Sequence, residues 1–155
     1  MTHATVFVCG DRHRRDDGAA LLAADRLGGV LPKDVNLRRV GQLGPDDLVA
    51  ASAAGRCLVI DTVRGIAPGR VISRRLLDLE TGGLHSASSH ALPLPTVIAL
   101  ASALGADMTD ATFMGIGGED FELGEGLTPS VEAGIDGFVA TVTGTLMCEG
   151  PDRCA

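Results

Sequence analysis

The sequence predicts a single-domain α/β fold of three layers, with a twisted, mostly parallel sheet of about five strands flanked by helices. Three observations lead there. Short β-branched apolar runs alternate with helix-like segments along nearly the whole chain, the pattern of strand–helix–strand units joined by right-handed crossovers. The run Cys57-Leu58-Val59-Ile60 is apolar without a break, as in a parallel strand covered on both faces. And 155 residues, 45% hydrophobic and 21% charged, match one globular domain. A chain of that size buries about two thirds of its surface without staples.

The elements follow in order. Ala4-Thr5-Val6-Phe7-Val8-Cys9 is a buried strand ending at Gly10. Asp16-Asp17-Gly18 leads into a helix over 19–27, with acids at its electropositive start. Gly28-Gly29 ends it. Residues 35–40 form a second, weaker strand. Pro45 opens a helix over 45–54 that Gly55 stops. Residues 57–61 form the third strand. Residues 69–77 form a fourth, placed at an edge by Arg70, Arg74 and Arg75. A polar loop rich in Gly and Ser spans 80–90, and a helical pattern covers 95–104. Residues 111–116 form the last strand, ending in Gly117-Gly118. Thr128-Pro129 supplies an N-cap and first-turn pair for a helix over 129–146. The domain is expected over 1–148, with 149–155 a frayed tail.

Composition narrows the function. Thirteen basic against 20 acidic residues give a net charge of −7, and Lys33 is the one lysine. A net acidic chain with no Trp, no Tyr and four Phe is a poor candidate for nucleic acid, whose binding needs a basic face, often with stacking aromatics. The uncharged run 91–106 holds 16 residues and two prolines, short of the ~20 apolar residues of a membrane span. No basic segment precedes the first apolar run, so no signal peptide is expected. None of the four cysteines forms a C-x-x-C pair. Cys9 and Cys57 read as small buried hydrophobes, and Cys148 and Cys154 leave a disulfide open. The expectation is a cytoplasmic monomer. Glycine, at 21 residues, is about twice its usual share, which suits either flexible filler or tight loops beside a site.

In such folds ligands bind beyond the carboxyl ends of the strands. Those ends carry Gly10-Asp11-Arg12-His13-Arg14-Arg15-Asp16-Asp17-Gly18, then Asp61-Thr62, Ser88-Ser89-His90, and Gly117-Gly118-Glu119-Asp120. Carboxylates and a histidine are therefore expected on one rim. The first loop lacks G-x-G-x-x-G and G-K-S/T, so no nucleotide is expected. G-x-S-x-G and H-E-x-x-H are also missing. Two carboxylates and an imidazole suit Ni²⁺, Zn²⁺ or Fe²⁺. Plainer readings stand beside this one. Asp17 can complement a helix dipole, Asp61 can be a satisfied strand-end acid, and His90 a loop or capping residue. The arginine-rich run 12–15 can be a solvated loop paired with acids, with Arg15 a candidate substrate contact. Through Arg12, Arg14 and Arg15 it can also take a phosphorylated ligand.

Taken in order, five motifs resemble the NiFe-hydrogenase maturation endopeptidases. They are Gly10-(x)5-Asp16-Asp17-Gly18, Leu58-Val59-Ile60-Asp61, Pro68-Gly69, Ser89-His90-x-Leu92, and Gly126-Leu127-Thr128-Pro129-x-Val131. Each is weak alone; their shared order from about residue 4 to 146 is specific. The resemblance implies an endopeptidase that removes a short C-terminal peptide from the hydrogenase large-subunit precursor once nickel has been inserted. Nickel then arrives with the substrate rather than as a resident cofactor. The family's metal-contacting acid, strand-end aspartate and histidine match Asp17, Asp61 and His90, which are also the catalytic candidates. Its substrate-recognition segment after the second strand corresponds to Val40-Gly41-Gln42-Leu43-Gly44, making Gly41 and Gln42 substrate contacts.

The chain departs from the family at Gly10-Asp11, where Gly-Asn is usual. It departs again at 40–44, where a Gly-Gly-Thr segment is common, and at Gly117-Gly118-Glu119, where a proline is common. The Asp, Asp, His set is intact. Those departures keep a second function open, a non-proteolytic metal-sensing or assembly-checking module. No nucleophile stands out. Peptide cleavage can use Lewis-acid polarisation with Asp17 or Asp61 as base, or a metal that only positions the substrate.

Overall fold

A computed structural model describes residues 4–80, 85–86 and 92–148. His90 and residues 149–155 lie outside them. The first strand, β1 (Ala4–Cys9), and the first helix, α1 (Ala19–Leu27), take the expected bounds. Then come β2 (Val35–Gly41), α2 (Pro45–Ser52), β3 (Arg56–Arg64), β4 (Val71–Arg75) and β5 (His85–Ser86). The series ends with α3 (Leu94–Ala103), β6 (Ala111–Gly117) and α4 (Pro129–Met147).

Five strands line up as β2-β1-β3-β6-β4. The pairs β1–β2, β1–β3 and β3–β6 are parallel, and the edge strand β4 runs antiparallel to β6. The pairing of β1 with β3 stops at Val8↔Ile60. Past that point β5 takes the vacated edge of β3, antiparallel, at Val63 and Arg64.

Side chains alternate across the sheet. Val6, Val8, Leu58, Ile60, Met114 and Ile116 pack with α1 and α4. Phe7, Val59 and Phe113 pack on the other face with α2 and α3. Phe7, Phe113 and Phe138 are each at most 2% exposed, and full burial of such a side chain contributes roughly 1.5–3 kcal/mol.

Two expectations are corrected. The fourth strand does not run over 69–77: it stops at Arg75, and Leu76–Glu80 turns into a 3-10 helix. Leu76 and Leu79, three apart, eclipse on one face of that turn and are both buried. The third strand is longer than expected, because the polar pair Asp61-Thr62 continues it to Arg64. Among the described residues, no helix is long and apolar enough to cross a membrane. Cys9 and Cys57 are free and buried, while Cys148 is disulfide-bonded.

Candidate active site

At the carboxyl end of β1 the chain turns through Gly10, whose φ is +126°. A Cβ there would sit 2.1 Å from the Asp17 carbonyl oxygen, so only glycine lets the loop fold back. The chain returns through a 3-10 turn, Arg15–Gly18, that carries both acids. Arg15 adopts a left-handed φ of +47°. Its N–H donates to the Gly124 carbonyl at 3.1 Å, and its guanidinium reaches Asp120 at 3.5 Å. Strained backbone of this kind costs about 1–3 kcal/mol and persists where its surroundings hold it.

The two neighbouring acids have opposite surroundings. Asp16 is fully buried. Its Oδ2 accepts the N–H groups of Glu119 and Asp120 at 2.9 and 3.0 Å. Its Oδ1 accepts the Thr128 N–H at 2.8 Å, and the Thr128 hydroxyl lies 3.0–3.1 Å from both oxygens. Burial alone would raise its pKa; the N–H groups of Glu119, Thr128 and Asp120 outweigh that and hold it below the usual carboxylate range. Asp16 is thus an anchor tying the first loop to the segment between β6 and α4.

Asp17 is 3% exposed, and its Oδ1 has no hydrogen-bond partner. Burial pushes its pKa up. The Asp11 N–H and the charges of Arg14 and Arg64 pull it back only in part, and the Asp11 charge adds to the rise. Buried carboxylate oxygens without a donor are rare and call for an explanation.

Asp61 lies one residue past the end of the β1–β3 ladder and is 6% exposed. Its Oδ1 accepts the Thr62 N–H at 2.8 Å. The Thr62 hydroxyl donates to the Asp16 carbonyl at 2.9 Å, stitching β3 to the acidic turn. The turn that carries Asp17 is thus tied to the strand that carries Asp61 through the Thr62–Asp16 hydrogen bond. The Cys9 thiol is pushed well up, first by burial and then by the charges of Asp61, Asp47 and Asp17.

Beside Asp61 opens a recess of about 30 Å³ lined by Cys9, Gly41, Gln42, Leu43 and Phe113 among others. Gly41 has φ +68°. Asp61, Gly41 and Gln42 thus line one recess. Arg15 is placed apart, against Gly124 and Asp120. Arg12 pairs with Asp25, which also binds Arg39; acids thus occupy two of the three arginines considered for a phosphate. Among the described residues no three His, Cys, Asp or Glu side chains are grouped to hold a metal, and the third expected ligand, His90, is not one of them.

Sequence reasoning missed three participants. Asp16 stood in the Asp16-Asp17 pair with nothing to tell the two apart. Thr128 was read as a helix cap; it does precede α4, but it makes no side-chain cap bond. Arg64 stacks on Phe121, 4.2 Å from the ring centroid, a cation–π pair between residues too far apart in sequence to signal each other.

A mostly parallel sheet covered on both faces, with buried carboxylates and a recess at its strand ends, is the arrangement in which α/β proteins place their ligand sites. The chain belongs to the hydrogenase maturation protease family HycI, whose model matches residues 29–145. It is accordingly a hydrolase, an endopeptidase of the hydrogenase maturation type. The match includes Asp61 and begins after the Asp17 loop. Solved structures agree in fold. The hydrogenase maturating endopeptidase HybD from E. coli is 24% identical, covers 91% of this chain and 90% of its own, and superposes with a TM-score of 0.75. The NiFe-hydrogenase maturation protease HybD from Thermococcus kodakarensis is 23% identical, with coverages of 91% and 97% and a TM-score of 0.67. HycI from T. kodakarensis KOD1 is 22% identical, with coverages of 95% and 94% and a TM-score of 0.71. No curated protein sequence matches the chain significantly.

Proposed function

We propose that the chain, as a monomer, removes a C-terminal peptide from a hydrogenase large-subunit precursor after nickel insertion. One observation carries the reading: Asp17 Oδ1 is buried, accepts hydrogen bonds only, and has no donor. It lies on the rim of a maturation-protease fold, in the turn that the Thr62 hydroxyl ties to the strand of Asp61. An acceptor in that state fits a cation delivered from outside. Asp17, Asp61 and His90 are the residues that would meet the precursor's nickel. A divalent cation supplies Lewis-acid polarisation of a peptide carbonyl. Asp17 and Asp61 orient the precursor tail, and one of them takes the proton of the attacking water. Gly41 and Gln42 contact the tail in the recess, and Arg15 contacts it on the neighbouring surface.

The test incubates the protein with nickel-loaded and nickel-free precursor and reads precursor mass. Loss of a C-terminal peptide from the loaded form alone is expected. Asp17→Ala, Asp61→Ala and His90→Ala should each slow it by about 100-fold or more. A wild-type chain that binds the loaded precursor and leaves it intact overturns the reading and favours an assembly-checking role.

A further inference from the structure

Helix α3 turns Val97, Ile98 and Ala101 into the core with Phe7, Val59 and Phe113. Its outer side differs from that of every other helix. Exposed charges mark the others: Asp25 and Arg26 on α1, Asp46 on α2, Glu132 and Asp136 on α4. The stretch 91–106, which contains α3, has no charged residue. Thr96, Ala99, Leu100 and Ala103 are exposed, and their spacings of three and four put them on one face. Leu104 extends that face where the helix ends. Leu100 is 44% exposed, Leu104 65%, and Leu92, just before the helix, 53%. These are three of the six large apolar side chains exposed among the described residues. Apolar residues scattered singly on a surface are ordinary, but a cluster on one element marks a contact face. A helix that is apolar all round is built to be covered.

Position, size and polarity identify what covers it. Leu92, Leu94 and Val97 line the recess that holds Asp61. From there α3 runs to the opposite end of the sheet, where Ala111 opens β6 beside Cys57. The face therefore continues the surface that a precursor tail would occupy at the rim. A helix of this length is about 15 Å long and about 10 Å wide, so the face offers on the order of 200 Å². A stable two-protein interface takes about 800 Å² from each partner. The face is thus too small to hold a second copy of the chain by itself. It suits a partner already tethered elsewhere on the same molecule, whose second contact is in effect intramolecular. A lipid surface does not suit it. Interfacial helices carry basic residues for the headgroups, and the first charges after α3 are Asp107 and Asp110.

Resting on the processing reading above, we propose that the outward face of α3 is a docking surface for the folded body of the hydrogenase large-subunit precursor. It holds an apolar patch of that body while the tail is engaged at the rim. Leu100 and Leu104 make the contact.

The experiment measures processing of nickel-loaded precursor by the double variant Leu100→Ser, Leu104→Ser. KM should rise about 10-fold or more, with the loss in KM rather than in kcat. Leu100→Met, Leu104→Met keeps the face apolar and should stay within about twofold of the wild-type KM. Val30→Ser removes an equally exposed apolar side chain elsewhere (Val30 is 55% exposed) and should leave KM unchanged. A wild-type KM in the serine variant, or an equal rise in the Met or Val30 variants, overturns the docking surface. A second readout does not depend on turnover. A photoreactive benzophenone side chain placed at position 100 should cross-link to the precursor on illumination. No cross-link overturns the proposal. So does a cross-link to a second copy of the chain, together with a dimer in sedimentation that the serine variant dissolves. If wild type cleaves no precursor, the processing reading falls. The cross-link then judges the surface alone: attachment to the precursor upholds it, and none overturns it.

Discussion

Replacing Asp16 by Asn keeps the side chain's shape, removes its charge and turns one acceptor oxygen into an N–H donor. Oδ2 serves the Glu119 and Asp120 N–H groups and Oδ1 serves that of Thr128. Either amide orientation therefore aims a donor at a backbone N–H that cannot turn away. The better orientation strands Thr128, at about 1–3 kcal/mol for an unsatisfied buried donor. The other two bonds lose charge assistance, roughly 1 kcal/mol each. The sum is about 3–5 kcal/mol, on the order of a 10 °C fall in Tm for a chain of this size. Urea unfolding followed by circular dichroism measures it. Asp17→Asn is the built-in control: same change, adjacent residue, near-equal burial, but an oxygen with no donor to lose. That variant should be neutral or stabilising in the free protein while abolishing precursor processing. If Asp16→Asn costs less than about 1 kcal/mol, or both variants cost the same, the division into anchor and working acid is wrong.

Three further outcomes follow. Gly10→Ala should cost about 3 kcal/mol or more, because a side chain at φ +126° meets the Asp17 carbonyl at 2.1 Å; a urea midpoint close to wild type would sink the fold-back geometry. Cys57, its thiol pushed up to about 12 by burial, should resist alkylation in the native state at about pH 8 and react once guanidinium unfolds the chain. Peptide mass spectrometry scores it, and equal native and unfolded rates would count against that burial. Burial would raise the Asp25 pKa, but hydrogen bonds from Arg12 and Arg39 lower it below 3.8. A lowered folded value means that its stabilisation is present above about pH 4 and fades as pH falls further. The side chain is 40% exposed, so Asp25→Asn should cost under about 1 kcal/mol at neutral pH. That penalty should shrink on acidification in parallel urea titrations; growth instead would reverse the assigned sign.

Where neighbours in sequence decide structure, the sequence was legible. Helix α1 is an alanine-rich apolar run between Gly18 and Gly28, and its ends were read correctly. Pro45 and Pro129 mark first helical positions for a local steric reason, and both do so here. The end of β3 was not legible, since Asp61 and Thr62 look like a strand's exit. They are buried because Thr62 reaches Asp16, 46 residues earlier. Gly41 and Gln42 were singled out by resemblance and Asp61 by its place at a strand end; that the three line one recess follows from β2, β1 and β3 lying side by side and parallel. The unequal partnership of Asp16 and Asp17 was hidden, because every donor that separates them lies about a hundred residues downstream.

That separation sets a schedule. The donors to Asp16 come 103, 104 and 112 residues after it, and chains emerge from the ribosome N-terminus first. Asp17 and Asp61 are therefore synthesised long before the groups that seat the acidic turn. A nascent chain that has not yet released the start of α4 carries the acids of the site without its frame. A chain cut short before Glu119 would stay in that condition and would also lack α4, whose Val131, Ile135, Phe138 and Val142 cover one face of the sheet. The hydrogen bonds that seat the acidic turn thus become possible only once residues 119–128 have emerged.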